Sequence, residues 1–154
     1  MTADALLDWV RQQAGSAPVR LCAVGAETPE SVSLSLLAIH PVAAFEADSL
    51  RLELTYRVSV RLSDAMAAHE LLCALAFAAL SAPLLPSAAG LRARPLNLLT
   101  PAEALLRHGP SAEPCLHLVV TIERPRETRR ALPVRERVLN TSQTVPRRAA
   151  GGER

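Results

Sequence analysis

The chain's strongest pattern is a strict alternation over residues 50–62. Leu50, Leu52, Leu54, Tyr56, Val58, Val60 and Leu62 fall on one side, and Arg51, Glu53, Thr55, Arg57, Ser59 and Arg61 on the other. A period of two over thirteen residues predicts one long, half-buried β-strand. Burying seven such side chains, at about 1.5–3 kcal/mol each, only balances ordering thirteen backbones at about 1–2 kcal/mol each. The strand therefore needs a sheet around it and a cover over its apolar side. Residues 65–81 can provide that cover. Asp64 is placed to cap a helix, and Ala68, Leu71, Leu72, Leu75, Ala79 and Leu80 form an apolar stripe flanked by Met66 and Phe77. His69 and Glu70 lie off the stripe, and Pro83 ends the helix.

Weaker patterns fill in the rest. Residues 3–14 read as a short helix, with Asp4 and Asp8 near its start and Gly15, Ser16 and Pro18 after its end. Residues 19–24 suggest a short strand. Residues 27–30 read as loop, and 32–39 as a strand that Pro41 closes. A hairpin connection is expected at 42–49. Residues 83–90 form a loop, and 91–98 an edge strand interrupted by Pro95. Thr100, Pro101 and Glu103 are a helix-start signature, and Gly109 suits the end of that helix. Residues 115–122 alternate as a last strand, with Leu116, Leu118, Val120 and Ile122 on one face. The expected fold is α+β: a single domain with a mainly antiparallel sheet covered by one long helix, two short helices and an extended C-terminal tail.

Composition sharpens this picture. Of 154 residues, 49% are hydrophobic, enough for one real core, while aromatics are 3%, too few for the stacking platforms of single-stranded nucleic acid binding. All 17 basic residues are Arg. Residues 1–122 carry a net charge of −3 and residues 123–154 a net charge of +5. This divides the chain into a core at 1–122 and an Arg-rich arm at 123–154. The arm reads as a solvated end, as a contact for an acidic partner surface, or as a nucleic-acid contact. Cys22, Cys73 and Cys115 form no CxxC pair, which argues against a disulfide framework and for buried free thiols. The sequence shows no secretory signal pattern, so a cytoplasmic location is expected.

Chemistry finds little foothold. His40, His69, His108 and His117 are scattered, and Cys115 with His117 shares a strand face without making a metal site. There is no GxSxG, no GxGxxG and no P-loop. Neither an enzyme nor a cofactor nor a small-molecule substrate is expected, and His69 beside Glu70 reads as a solvated helix face. The Arg-bearing side of the long strand reads equally as an open sheet face in water or as a subunit interface.

The order of elements, with LRLELTYRVSV at 50–60, AAHELLCALAFAALSAP at 67–83, LNLLTPAEALLRHG at 96–109 and PCLHLVV at 114–120, resembles the tail-terminator (cap) proteins of phage-tail-like contractile injection systems. These are similar in turn to the tail terminators of contractile phages. The resemblance implies a homohexameric ring that ends the inner tube and anchors the last sheath layer, with tube and sheath proteins as partners. It implies assembly into a phage-tail-like particle, leaving open a free particle, a membrane-anchored system or a phage, and no membrane contact of the chain itself is expected. Candidate contact residues are Arg51, Arg57 and Arg61 on the strand and Arg124, Arg126, Arg129, Arg130, Arg135 and Arg137 in the arm. The rival readings are a nucleic-acid adaptor using the basic arm, a chaperone dimerising through residues 71–80, and a small enzyme with an unrecognised site.

Overall fold

Period-two alternation and helical stripes assemble into an α+β fold. The computed structural model describes residues 2–42, 49–86 and 95–125. The elements run α1 (Thr2–Ala14), β1 (Val19–Leu21), β2 (Ser31–Val42), β3 (Ser49–Arg61), α2 (Ala65–Leu80), β4 (Asn97–Leu98), α3 (Pro101–His108) and β5 (Cys115–Pro125). The strands form one five-stranded sheet in the order β1-β2-β3-β5-β4. β1 runs parallel to β2, and the other neighbours are antiparallel, so the sheet is mixed. The long strand sits at its centre, as its pattern required. Val58 stands opposite Leu34 on one side and Leu116 on the other, and Tyr56 opposite Leu36 and Leu118.

Two helices, rather than one, cover the apolar face. α1 contributes Leu6, Trp9, Val10 and Ala14, and the 16-residue α2 contributes Leu75 and Ala79, with Leu71 and Ala78 beside them. These pack on Val32, Leu34, Tyr56, Val58, Leu118 and Val120. The face of α2 also differs from expectation, because Leu80 points outward and is 65% exposed. A helix whose only polar residues are His69 and Glu70 has no sharp apolar side for periodicity to find.

Local chemistry explains the boundaries. Asp64 accepts hydrogen bonds from the Met66 and Ala67 N–H groups at 2.8 and 3.3 Å and caps α2. Thr100 and Glu103 form the full capping box that starts α3, and Gly109, at φ 78°, closes it by donating to Leu105 O. β1 is shorter than expected and ends at Leu21, although the Cys22 N–H still donates to Leu34 O at 2.9 Å. β2 runs past Pro41 to Val42. A bulge between Leu36 and Ala38 re-phases it, so Ile39 stays on the side of Leu36. Pro41 is tolerated because β1 pairs only with Val32, Ser33 and Leu34, which leaves β2 an edge at its far end among the described strands. β4 is the expected edge strand, reduced to two residues; the 91–94 part of that expectation, and the 87–90 part of the loop expected before it, lie outside the described residues. β5 continues three residues beyond the expected strand, and Glu123 within it is buried. No helix among the described residues is long and apolar enough to cross a membrane.

Candidate functional site

The sheet has two faces, and each holds a feature that folding alone does not explain. On the face bearing Thr55, Arg57, Ser59 and Arg61, the register adds Ser33 and Ser35 from β2 and Cys115, His117, Thr121 and Glu123 from β5. Much of it is shut off from water: Ser33, Ser35, Thr55, Ser59, His117, Thr121 and Glu123 are all buried. The chain covers this face itself, with the loop before β2 on one flank and α3 with the loop after it on the other.

An ion-pair cluster ties these covers down. The Glu27 carboxylate, whose side chain is 3% exposed, pairs with the Arg57 guanidinium and lies 4.0 Å from Arg61. Arg61 also clamps Glu113 through Nε and Nη2 at 2.9–3.1 Å. Both arginines thus have partners within the chain. Arg51 stands opposite Glu123 on β5, and Arg124 opposite Leu50. The arm residues Arg126, Arg129, Arg130, Arg135 and Arg137 lie outside the described residues. Among the described residues, Arg57 and Arg61 come together on the shared carboxylate of Glu27.

The histidines are less scattered than their numbering suggests. His108, the last residue of α3, stacks on His117 of β5 with ring centroids 5.5 Å apart and planes 8° from parallel. Burial pushes His108 below the ordinary histidine value, helped by the charges of His40 and Arg107. Burial also lowers His117, helped by His108 and Arg57. Nearby, Arg107 lies 3.7 Å from Glu53, whose register partner on β2 is His40. A histidine held below its unfolded value of about 6.5 favours the neutral form in the fold. Its contribution is complete above that value and is lost as pH falls below it. Urea denaturation should therefore show a lower midpoint at about pH 5.5 than at about pH 7.5, and His108→Gln with His117→Gln should reduce that difference. An unchanged pH response in the double variant would remove the stack as its source.

The three thiols are free and half-buried rather than fully buried. Cys22 meets Ser35 at 3.4 Å, Cys115 donates to Ser111 at 3.4 Å, and Cys73 lies 3.6 Å from His69 Nε2, one helical turn away on α2. Cys115 and His117 line a cleft of about 470 Å³ with Leu99, Ala104 and Pro110. Among the described residues no group of three or more His, Cys, Asp or Glu could hold a metal ion.

The apolar face carries the second feature. The helices cover it around Tyr56 and Val58, but the sheet continues beyond them. At that end Leu36, Ile39, Leu50 and Leu52 are 40%, 55%, 54% and 37% exposed. They share one face because Leu36 pairs with Tyr56, Ile39 with Leu54, and Leu50 and Leu52 follow in the same phase on β3. A second apolar strip runs along the outer side of α2, where Met66, Phe77 and Leu80 are each about two-thirds or more exposed, with Leu84 just beyond. Alternation assigned Leu50 and Leu52 to the core side, but how far a helix reaches along a strand is not written in either element. Compared with known proteins, the chain matches no family model, and no curated protein matches it significantly.

Proposed function

We propose that the chain is a structural subunit of a ring that ends the inner tube, and anchors the terminal sheath layer, of a contractile injection system. The observation that carries this reading is the bare apolar end of the sheet. A platform on β2 and β3 that outruns its own helical cover, and presents four large aliphatic side chains to water, suits a partner surface better than a free monomer. The resemblance of the element order to tail terminators supplies the kind of assembly. In this reading the protein performs no chemistry, and the ion-pair cluster and histidine stack hold covers on the second face.

The Arg-rich arm would make the outward contact to sheath or tube, with Arg51 and Arg124 nearest its root. Since β5 runs through Pro125, a truncation that spares the sheet begins at residue 126. Removing 126–154 should leave the melting temperature within a few degrees while tubes grown with the variant lose their capped, uniform ends in electron micrographs. Normal capping by the truncated protein would sink the arm's role. Sixfold rings at tube ends are the expected result for the full chain. Salt-dependent binding of duplex DNA in place of rings would favour the adaptor reading.

A further inference from the structure

We infer that the outer strip of α2 on one copy packs against the bare end of the sheet on a second copy, making a head-to-tail contact. This names the interface for the ring reading above, on which it rests.

Each half of the contact lacks a cover among the described residues, and each suits the other. Met66, Phe77 and Leu80 recur at helical spacing, with Cys73 between them. From residue 71 to residue 91 the chain carries no charged residue. Leu36, Ile39, Leu50 and Leu52 make a flat apolar platform on two adjacent strands. Helix on sheet is already how this face is covered, since the inner side of α2 packs on β3 and β5 of the same sheet. The uncovered stretch Ser49–Glu53 of β3 is about 17 Å long at about 3.3 Å per residue, and a helix needs about 10 Å. The two surfaces carry opposite charge: Glu70 is exposed within the helix strip, one turn from Met66 and from Cys73, and Arg124 stands opposite Leu50.

The area also points to a second copy in a closed set. Four large side chains per face, each hiding on the order of 100 Å², give about 800 Å² in total, below the range of stable specific interfaces and in the class of weak contacts. Alone it would be weak. In a closed ring every subunit makes it twice, and the second contact becomes intramolecular. Two different patches on one chain give a heterologous interface, which closes into a ring or runs on as a filament. Helix-to-helix pairing would instead leave the sheet end bare.

The test uses the full chain and two single variants, Phe77→Glu and Ile39→Glu, with mass measured by light scattering at about 100 μM, within reach of the affinities of small interfaces. The wild type should exceed the 16.5 kDa monomer, and each variant alone should be a monomer. Mixed in equal amounts, the variants should form a heterodimer and nothing larger. The intact helix strip of Ile39→Glu meets the intact sheet end of Phe77→Glu, and the two surfaces left over are both spoiled. Both sites are exposed, so melting should stay within a few degrees; Leu80→Glu and Leu50→Glu replace any variant that misfolds. A monomeric wild type, or a mixture that stays monomeric, would overturn the contact. So would dimers in Ile39→Glu alone, which indicate helix-to-helix pairing. A heterodimer together with uncapped tubes would sink the terminator reading and leave the contact standing.

Discussion

Replacing Glu27 by Ala is expected to lower the free energy of unfolding by about 3 kcal/mol, far more than its place in a loop suggests. Its carboxylate is almost wholly buried and sits against Arg57, whose own side chain is only 23% exposed. Removing the acid strands a guanidinium that the fold has largely taken from water. Breaking one partner of such a pair costs about 3–5 kcal/mol when burial is complete, and the water that still reaches Arg57 places this case at the low end. Arg61 offers no relief, because it adds a like charge. Glu113→Ala is the matched control. It removes a carboxylate from Arg61 that is 55% exposed, so the loss should stay under about 1 kcal/mol. Adding Arg57→Leu to Glu27→Ala should restore part of the stability, since the stranded charge goes with it. Urea denaturation of the four proteins reads all these differences. Equal small losses at Glu27 and Glu113 would mean that the cluster is a surface feature.

Sequence patterns reached what depends on near neighbours and missed what depends on distant ones. The phase of β3, the Asp64 cap and the Thr100–Glu103 box were legible because each is settled within a few residues. Glu27 was not, because its partner lies thirty residues away on another element. The Arg-bearing face of β3 left water and interface open as alternatives, and the chain proves to cover much of that face itself. His108 and His117 are nine positions apart and meet only because α3 folds back over β5. The bulge in β2 was hidden for a related reason: alternation over 32–39 looks the same with one residue set aside, and only the pairing with β3 shows it. α2 could not be oriented from its own residues, since almost any side of it could be the buried one.

That ambiguity in α2 has an energetic answer. Leu75 and Phe77 are two positions apart, both large and apolar, and their expected roles are opposite. Leu75 is 1% exposed and packs with Ala79 into the core on Tyr56 and Val58. Leu75→Ala removes buried methyl groups and leaves a cavity between helix and sheet, a loss of about 3 kcal/mol within the usual 2–5 range. Phe77 is 74% exposed, so Phe77→Ala should change the stability of the monomer by no more than about 0.5 kcal/mol. Both are read from urea unfolding at low protein concentration, where association does not contribute. At high concentration the order should reverse in a mass measurement. Phe77→Ala should weaken self-association, while any Leu75→Ala protein that remains folded keeps its outer strip and associates as before. A large stability loss at Phe77 in the dilute monomer would mean that the outer strip serves the chain's own fold. One helix would then have a single task, and the copy-to-copy contact would lose half its surface.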